Sequence, residues 1–532
     1  MQNMRFLAVN LDSFLIELND PEHTVALFRH LETIKHPHIV EMIPAATTIL
    51  VYFDRLNTEV SALIRYIKSQ RIERQQRHSV AKVVIDVTYD GPDLHHVAEL
   101  LGVTVSEVIY RHSNTCWNVA FIGFAPGFGY LNSPDHPFGS IPRLSSPRKK
   151  IQAGSVALAG EYTGIYPKDS PGGWQLIGST PQQMWDIHRD PPALLRAGAQ
   201  VIFRDITRQP SHVVVPEIKI PRQPEQHLQP VFELLQTGLQ SLVQDQGRTH
   251  QAALGVGRSG AMDQTALSQA NRIVGNPDHA AVIEILNGGL KLKVLQSTVV
   301  AVTGAASHIG VSYAGQAQVK VPDYSPIALD CGDLLYIDSP HAGLRHYLAI
   351  RGGIKTEKIL GSASFDTLAE LGTPPLKPHD FIYSAELSVG SVLLHEKCAQ
   401  QLPKIGDVVE VDVILGPRTD WFEPESLTQF FQQQWLVTQE SNRIGLRLSA
   451  GLPLKRQIHG ELASEGTCTG ALQIPPNGQP VLFMNDHPLT GGYPVLGAIA
   501  IDHLDRVAQI PPGCLIQFRQ KSEILDLDKE ST

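Results

Sequence analysis

Short runs of apolar residues, separated by glycine, proline and polar turns, are the commonest pattern along this chain. Such runs are typical of β-strands, whereas amphipathic helices show a longer apolar period. Examples in the second half are VVAVTGA, VVEVDVIL and PVLFMND. The sequence therefore predicts a mainly β protein.

The start of the chain has a different pattern, in which strand-like runs alternate with two amphipathic helices. From Val60 to Ile67, apolar residues recur at the i, i+3, i+4 and i+7 spacing of one helix face, and Asn57 is expected to cap this helix. The run IVEMIPAATTILVYFD predicts two strands around a short turn. The predicted order is β-α-β-β-α, a split βαβ arrangement in a small α+β domain.

Three further helices are predicted from apolar spacing and capping residues. One covers Leu94–Gly102, where the glycine suits a left-handed C-cap. Thr104 and Glu107 form a capping box for the next helix. A third helix runs from Asp263 to Gly275, with the aspartate as its N-cap.

One internal repeat is visible in the sequence. GGWQLIG is followed by an aspartate, a Pro-Pro pair and VIFR, and GGYPVLG is followed by an aspartate, a Pro-Pro pair and IQFR. The spacing from Gly178 to Asp186 equals that from Gly497 to Asp505. The repeat predicts a duplicated unit that closes two related barrels, although a shared turn and strand could also arise independently.

The length and the proline distribution divide the chain into domains. A chain of 532 residues is long enough for three or four units. The segment RQPSHVVVPEIKIPRQPEQHLQP carries five prolines and reads as a linker. The predicted divisions are an α+β domain at 1–80, a strand-rich domain at 81–206, a linker at 207–229, and two strand-rich domains at 230–400 and 401–524.

Composition excludes several classes of protein. The 43 glycines and 37 prolines are more turn-formers than a helical protein tolerates, and a net charge of −9 without a long basic run argues against nucleic acid. Five scattered cysteines indicate neither a disulfide framework nor a thiolate zinc site, so a reducing cytoplasm is expected. Asn10 and Asp12 interrupt the first apolar run, so neither a signal peptide nor a membrane span is expected.

A glycine-rich and aromatic segment, FIGFAPGFGYL at 121–131, is the first candidate for chemistry. Its glycines would let backbone amides approach a ligand, with aromatic side chains excluding water. A tight barrel corner with its own aromatic plug explains the same residues, and both interpretations stay open. Downstream, Arg143, Arg148, Lys149 and Lys150 are cations suited to a carboxylate or phosphate, although the lysines also fit a solvated surface.

The string GVGRSG at 255–260 matches GxGxxG, but the preceding QGRTHQAAL does not read as a strand, so a dinucleotide site is rejected. Loop amides with Arg248, Arg258 and Ser259 at a helix N-terminus would suit an anion, and a simple loop is the alternative. Ser259 is not in a GxSxG elbow, because Ala261 replaces the second glycine. No P-loop, HExxH or kinase motif occurs, and no metal site is predicted.

The ordered motifs resemble two bacterial protein families joined end to end. VTYDGPDLHHVAELLGVTVSEVIYRH, FIGFAPGFGYL, AGSVALAG, TGIYP and SPGGWQLIG are similar to the B subunit of ATP-dependent 5-oxoprolinase, also called the allophanate hydrolase subunit 1 or kinase-inhibitor family. QDQGR, GVGRSGAMD, ANRIVGNP, GPRTDWF, GALQIPPNG and TGGYPVLG resemble the companion C subunit, which is related to the carboxyltransferase part of urea amidolyase. The resemblance covers the chain to about Arg519.

The resemblance implies tandem cyclophilin-like β-barrels, one in the B-like half and two in the C-like half. It also implies cleavage of 5-oxo-L-proline to L-glutamate at the expense of ATP, with Mg²⁺ as the counter-ion of the nucleotide and a separate A subunit of the enzyme as partner. The alternatives are a carboxyltransferase-type component of urea or allophanate metabolism and a non-catalytic regulator that binds a histidine kinase. A homo-oligomer is compatible with either half.

The resemblance also implies two sets of site residues. One pocket would be lined by Gly127, Phe128, Tyr130, Arg148, Ser155 and Trp174. The other would be lined by Arg248, Ser259, Asp263, Arg418, Arg443, Asp486 and Tyr493. Of these, the catalytic candidates are Arg148, Ser155, Asp263 and Asp486.

The chain departs from the family pattern at three places. The family's Ser-Asp-Arg is Ser-Asn-Arg at 441–443, its Asp-Arg-Gln is Asp-His-Pro at 486–488, and SASFDT at 362–367 lacks the usual arginine. Each departure removes a charge near the second set of candidate residues. The substrate therefore stays open between 5-oxoproline and a urea or allophanate type.

Overall fold

Strands dominate the computed structural model, which describes residues 4–70, 82–144, 146, 148–207, 229–313, 315–398 and 400–521. The expectation of a mainly β chain with barrels in tandem is confirmed. The predicted linker at 207–229 lies outside the described residues except at its two ends. The strands form successive sheets along the chain, and each unit is described below in chain order.

The N-terminal unit is a four-stranded antiparallel sheet with two helices. Its elements are β1 (Arg5–Asn10), β2 (Ser13–Glu17), α1 (Pro21–Ile34), β3 (Ile39–Pro44), β4 (Thr48–Phe53) and α2 (Val60–Ser69), with sheet order β1-β2-β4-β3. The predicted β-α-β-β-α order was wrong by one strand, because two strands, β1 and β2, precede the first helix. The Asn10 side chain accepts a hydrogen bond from Leu11 N at 2.8 Å, which supports a turn that splits the first apolar run into a hairpin.

The predicted cap of α2 was also wrong. The helix starts at Val60 with Glu59 as its N-cap, and no side chain accepts a capping hydrogen bond. Asn57 instead belongs to the preceding turn, where its Nδ2 donates to Asp54 Oδ2 at 2.7 Å. Asparagine favours turns and caps for the same reason, so sequence alone did not separate the two roles.

The first barrel follows. Its elements are β5 (Lys82–Val87), α3 (Leu94–Leu101), α4 (Val105–Asn114), β6 (Trp117–Ile122), β7 (Gly129–Asn132), β8 (Arg148–Ile151), β9 (Ser155–Ala159), β10 (Tyr162–Ile165), β11 (Ser170–Gly172), β12 (Gln175–Ser179) and β13 (Gln200–Asp205). The sheet order is β12-β9-β10-β7-β6-β13-β5, with β8 and β11 as a separate pair. Two backbone hydrogen bonds of 2.8 Å between Thr88 and Ser179 join the two ends of the sheet.

The helix ends of this barrel confirm the predicted C-cap at Gly102 and the N-cap at Thr104, whereas the Glu107 side chain of the predicted capping box accepts from Arg111 Nε at 2.7 Å. Gly102 has φ 65° at the C-cap of α3. Thr104 Oγ1 accepts from Glu107 N at 3.2 Å at the start of α4. Both features depend on residues within one turn, and this is why the sequence predicts them.

The central unit contains two sheets and one long helix. Its elements are β14 (Phe232–Thr237), β15 (Gln240–Gln244), α5 (Gln264–Val274), β16 (Val282–Leu286), β17 (Leu290–Val294), β18 (Thr298–Ala306), β19 (Ile309–Ser312), β20 (Val319–Val321), β21 (Ile327–Leu329), β22 (Leu334–Ile337), β23 (Ala342–Ile350) and β24 (Phe381–Ile382). The sheet orders are β20-β19-β22-β17-β14-β24 and β15-β16-β23-β18-β21.

The two sheets of the central unit enclose one hydrophobic core, which differs from the single closed barrel expected here. At Asn287, Gly288 and Gly289, φ is 59°, 65° and 78°, so three successive left-handed residues carry the chain from one sheet to the other. Helix α5 is as predicted, because Asp263 Oδ1 accepts from Ala266 N at 2.9 Å and Gly275 ends the helix with φ 76°. A 3₁₀ turn at Ala252–Leu254 precedes it, so the residues directly before GVGRSG form a helical turn and not a strand.

The second barrel completes the described chain. Its elements are β25 (Val408–Leu415), α6 (Pro424–Gln432), β26 (Trp435–Val437), β27 (Gly445–Ser449), β28 (Glu465–Gly466), β29 (Ala471–Gln473), β30 (Val481–Phe483), β31 (Thr490–Gly491), β32 (Val495–Ile499), α7 (Leu504–Ala508) and β33 (Leu515–Gln520). Two 3₁₀ turns lie at Thr419–Trp421 and Ile501–His503. The strand order of the closed barrel is β25-β32-β29-β30-β27-β26-β33.

The internal repeat is confirmed by this topology. Strands β5, β12, β9, β10, β7, β6 and β13 of the first barrel have the same order as β25, β32, β29, β30, β27, β26 and β33 of the second. The core repeats as well, because Trp117 Nε1 donates to His112 O and Trp435 Nε1 donates to Phe430 O, both at 3.0 Å. The two barrels are therefore duplicates of one unit.

Candidate functional site

The loop that carries GVGRSG lies where the folded units meet. Gly127 N of the first barrel donates to Leu254 O at 2.9 Å. Ala252 N donates to Glu41 Oε1 of the N-terminal unit at 3.0 Å. Side chains of the central unit and the second barrel meet beside the same loop, around Ser259.

A buried ionic cluster forms the centre of the site. Arg443 Nε and Nη2 donate to the two carboxylate oxygens of Asp486 at 2.9 and 3.0 Å, and Nη1 donates to Glu284 Oε1 at 2.6 Å. Ser259 Oγ donates to Asp486 Oδ1 at 2.7 Å. All four side chains are buried. The structure thus brings together three of the residues predicted from sequence.

The backbone at Ser259 is held in an unusual conformation. Its φ is 53°, in the left-handed region that non-glycine residues rarely occupy. The next residue, Gly260, has φ 94°, and a Cβ there would lie 2.9 Å from Gly247 N. Hydrogen bonds from Arg248 N to Arg258 O and from Ala261 N to the Asp245 carbonyl hold this conformation on both sides. Strain of this kind is concentrated at functional sites.

A second carboxyl group, Asp366, lies beside Asp486. Thr367 donates to Asp486 Oδ2 from both its backbone N and its Oγ1, at 2.9 and 2.7 Å. Asp366 Oδ1 accepts from Leu368 N and Ala369 N at 2.8 Å each. The loop geometry therefore fixes two acidic side chains next to each other.

The environments of these two carboxyl groups separate their pKa values. Burial raises the pKa of Asp366, and the negative charge of Asp486 raises it further, to about 7. Burial would also raise the pKa of Asp486, but Arg443 and the hydroxyl of Ser259 hold it below its usual range. One carboxyl group is thus poised to exchange protons near neutral pH while its neighbour stays ionised, the arrangement used for general acid–base chemistry.

Arg248 and Gly257 complete the surroundings of Asp366. The Arg248 side chain is buried and its Nη2 donates to Ser364 O, while Nη1 has no partner among the residues that the structure describes. Burial lowers the pKa of Arg248, and the charges of Asp366 and two other aspartates oppose that shift. A Cβ on Gly257 would lie 3.7 Å from His487 O and 3.9 Å from Asp366 Oδ2, so a small group fits at this point.

Asp263 is joined to the cluster through Tyr347. The Tyr347 hydroxyl donates to Glu284 Oε2 at 3.0 Å and accepts from Asp263 N at 2.8 Å. Asp263 Oδ2 accepts from Gln400 and Gln509 at 2.9 Å each, while Oδ1 caps α5. Burial and the charge of Asp505 raise the pKa of Asp263 to about 7. This carboxyl group joins the central unit to the second barrel.

The structure does not bring Arg418 or Tyr493 to the cluster. Arg418 Nε and Nη2 donate to Glu465, and Nη2 also donates to Glu17 of the N-terminal unit at 2.6 Å. Tyr493 is 42% exposed and lies against Arg456, with the guanidinium 5.7 Å from the ring centre. Both residues lie at other contacts of the second barrel.

Three of the residues predicted for the first pocket form a filled aromatic cluster. The ring centres of Phe128 and Tyr130 are 5.1 Å apart, and each lies 5.4 Å from the Trp174 ring. All three side chains are buried. A Cβ on Gly164 would lie 3.1 Å from both Phe128 and Trp174, so the glycine admits the rings. This packing favours the aromatic plug over an open ligand pocket.

The other residues of that set have separate surroundings. A Cβ on Gly127 would face Met184 O at 3.1 Å, away from the rings. Arg148 Nη2 donates to Asp93 Oδ1 at 2.7 Å, and its Nη1 is buried without a partner in the described part of the chain. Ser155 O accepts from Tyr166 N at 3.0 Å within the barrel wall.

Sequence reasoning missed Glu284, Asp366 and Lys168. Glu284 is a charged residue inside the apolar strand VIEIL, which is a usable signal for a buried ion pair. Asp366 lies in an irregular loop, and Lys168 of the first barrel donates to Leu368 O of that loop. Lys168 thus brings the first barrel into contact with the Asp366 loop.

No group of three or more histidine, cysteine, aspartate or glutamate side chains in the described ranges is arranged to hold a metal ion. None of the helices described is long and apolar enough to cross a membrane.

Comparison with known families gives two matches on this chain. The carboxyltransferase domain, subdomain C and D, matches residues 4–195. The carboxyltransferase domain, subdomain A and B, matches residues 254–520. The chain belongs to this carboxyltransferase-domain family, and the resemblance found in the sequence is confirmed.

Individual relatives match the two halves separately. The chain is 31% identical to the C subunit of 5-oxoprolinase from Escherichia coli strain K12, over 55% of this chain and 92% of that protein. It is 35% identical to the B subunit of 5-oxoprolinase from Bacillus subtilis, over 37% of this chain and 87% of that protein. It is also 33% identical to urea amidolyase of Lachancea kluyveri, but over only 17% of that protein.

A solved structure matches the arrangement of the whole chain. The crystal structure of TTHA0988 aligns with a TM-score of 0.81 and 29% sequence identity. The alignment covers 95% of this chain and 99% of that chain. The order and packing of all the units are therefore those of a known fold.

Proposed function

We propose that this chain is the fused B and C component of an ATP-dependent 5-oxoprolinase, which opens 5-oxo-L-proline to L-glutamate. The observation that carries the proposal is that one chain aligns with 92% of the C subunit of one 5-oxoprolinase and with 87% of the B subunit of another. The A subunit, which is also part of the proposal, would be a separate protein that completes the enzyme. The chain and its partner would act together in the cytoplasm.

ATP and Mg²⁺ are part of the proposed reaction, with Mg²⁺ as the counter-ion of the nucleotide. When bound, ATP would supply the free energy that drives opening of the lactam. No step below depends on the position of the nucleotide.

The two aspartates have complementary roles in the proposed reaction. Opening the lactam breaks the C–N bond, so the nitrogen must gain a proton while water adds oxygen to the carbonyl carbon. Asp366, with a pKa of about 7, can donate that proton and recover one from the attacking water. Asp486 stays ionised on Arg443 and keeps the pKa of Asp366 high.

The environment of Gly257 gives a direct test of this location. In Gly257→Ala, the new methyl group would make ordinary contacts with His487 O and Asp366 Oδ2, so the fold should be retained. Turnover should fall because the methyl group occupies the space in front of Asp366. Gly451→Ala is the control for a glycine change with no atom nearby, since a Cβ there has no neighbour within 4 Å and the backbone is not left-handed. Equal turnover in wild type and Gly257→Ala would remove Asp366 from the mechanism.

The decisive assay measures phosphate and glutamate release with Mg-ATP. The purified chain should release little glutamate from 5-oxo-L-proline, and adding the A subunit should give ATP-coupled release. The physical reason is that an activated lactam is sensitive to water and must pass between docked sites. Full glutamate formation by the chain alone would contradict the division of labour.

The same assay separates the alternatives. The carboxyltransferase family match and the 33% identity to urea amidolyase favour carboxyl transfer as a second candidate. That function predicts ATP use with urea only when a biotin carboxylase and a carrier protein are added. If ATP is consumed neither with 5-oxo-L-proline nor with urea, whatever the source of the A subunit, the result would favour the regulator that binds a histidine kinase.

A further inference from the structure

A cavity of about 330 Å³ lies between the central unit and the second barrel, on the side of Arg443 that faces β15 and β16. Leu239 and Ile405 stand at its edge and are 74% and 77% exposed, so the cavity opens to solvent through an apolar rim. Leu286 and Leu446 form part of its walls. This volume suits a small organic molecule.

The charged side chains of the cavity are all cations. Arg345 and Arg443 line it and are each 3% exposed, and none of its lining residues is an aspartate or glutamate. Arg443 is engaged by Asp486 and Glu284. Asp486 and Glu284 balance the charge of Arg443, so the cavity presents guanidinium N–H groups with little net positive charge.

Arg345 has donors to spare. Its Nη1 donates to Ala508 O at 2.5 Å, and its Nε lies 3.8 Å from Glu284 Oε1. Among the described residues, no further acceptor lies within hydrogen-bond distance of its guanidinium. A guanidinium carries five N–H donors in a planar fork that matches a carboxylate. A guanidinium with further N–H donors at the lining of a cavity can bind an anionic ligand there.

Amide groups surround the same space. The carboxamides of Gln240, Asn287, Gln439 and Asn442 line the cavity. Their N–H groups can donate to a carboxylate without adding negative charge, while the leucine walls contact an aliphatic body.

We propose that this cavity binds a small aliphatic carboxylate, with the carboxylate on the Arg345 side and the hydrocarbon body against the leucines. The proposal goes beyond the proposed function, because binding here requires neither ATP nor the A subunit. It also assigns the cavity to a ligand and not to the proton transfer of Asp366.

Asn442 allows a matched test of the charge. Its Oδ1 accepts from Ile444 N at 2.9 Å and from Gly445 N at 3.2 Å. An aspartate keeps both of these bonds, so Asn442→Asp should fold normally while it places a negative charge in the cavity. Asn477→Asp is the control, because Asn477 Oδ1 makes a similar turn bond to Gln479 N at 3.1 Å outside the cavity.

The experiment is a calorimetric titration of the full chain with cyclopentanecarboxylate and with its neutral analogue cyclopentanecarboxamide. The wild type and Asn477→Asp should bind the carboxylate at least ten-fold more tightly than the amide. Asn442→Asp, and Gln240→Glu on the opposite wall, should each weaken carboxylate binding at least ten-fold. Equal affinities for the two compounds, no measurable binding, or equal effects of Asn442→Asp and Asn477→Asp would overturn the proposal. The titration measures binding and not turnover, so a failure of the proposed 5-oxoprolinase activity would not change its outcome.

Discussion

Replacing Asp486 by asparagine removes one negative charge from the centre of the buried cluster and keeps the side-chain shape. Arg443 would then bind one carboxylate, that of Glu284. The new amide group would place its own N–H donors against side chains that are themselves donors. Arg443, Ser259 and Thr367 all donate to the present carboxylate. The variant therefore leaves buried donors without acceptors.

The magnitude follows from burial. Removing one partner of a buried ion pair costs about 3–5 kcal/mol, because the remaining charge loses its compensation in a medium of low polarity. Glu284 lies 2.6 Å from Arg443 and retains part of that compensation, so a loss of about 3 kcal/mol is expected. The same change removes the negative charge beside Asp366 and should lower the pKa of that carboxyl group from about 7.

The measurement is urea unfolding of the whole chain, followed by tryptophan fluorescence, for wild type and Asp486→Asn, because tryptophans lie in both barrels. Asp86→Asn is the matched control, because Arg204 Nε and Nη2 bind Asp86 through both oxygens at 2.6 and 2.8 Å on an exposed surface. The control should change stability little, since solvent screens exposed pairs. If Asp486→Asn destabilises no more than Asp86→Asn, the cluster contributes nothing through burial and the reasoning fails.

Three further outcomes are expected. Arg148→Ala should lower turnover without unfolding the chain, because its Nη1 has no partner among the described residues and can donate to an anionic ligand a charge-assisted hydrogen bond worth about 1.5–3 kcal/mol. Exposed Lys149→Ala should change neither kinetics nor stability. The pKa of Asp366 is raised from 3.8 to about 7, so between these pH values the folded state binds more protons than the unfolded state. The free energy of unfolding should therefore fall as pH rises through this range. Asp366→Asn should flatten this slope in urea titrations at several pH values. Limited proteolysis should cut within 207–229 first and leave two folded pieces, and cleavage inside either half would argue against two joined subunits.

Local signals predicted the elements whose cause is local. The N-cap at Thr104 and the helix from Asp263 to Gly275 need only neighbouring residues, and both were correct. The hairpin at Asn10 and the turn at Asn57 were missed, because asparagine supports turns and caps through the same hydrogen bonds and only the surrounding sheet selects one of them.

The site was only partly predictable, because its partners come from distant parts of the chain. Ser259 and Asp486 were found through family motifs, yet they are 227 positions apart and their contact is not encoded by spacing. Glu284 and Asp366 were missed, since each gains its partner only through packing between units. A charged residue within an apolar strand, as at Glu284, was the one local signal available.

The duplicated barrels carry an ion pair at matching positions with its charges reversed, partly buried in the first barrel and buried in the second. Asp93 and Arg418 each follow a Gly-Pro pair after the first strand of their barrel. The backbone N of Asp93 donates to Leu176 O at 2.9 Å, and that of Arg418 donates to Val495 O at 3.1 Å, so the register is the same.

The partners occupy equivalent strands too, because Arg148 pairs with Gly172 in one side hairpin and Glu465 pairs with Gly491 in the other. Asp93 binds Arg148 through one guanidinium nitrogen, whereas Arg418 holds both Glu465 and Glu17 of another unit. Arg418 is therefore a structural residue that joins three elements, although its motif marked it for binding. Arg148 joins only two and keeps a buried Nη1 without a partner among the described residues, which is why its removal is expected to affect a ligand more than the fold.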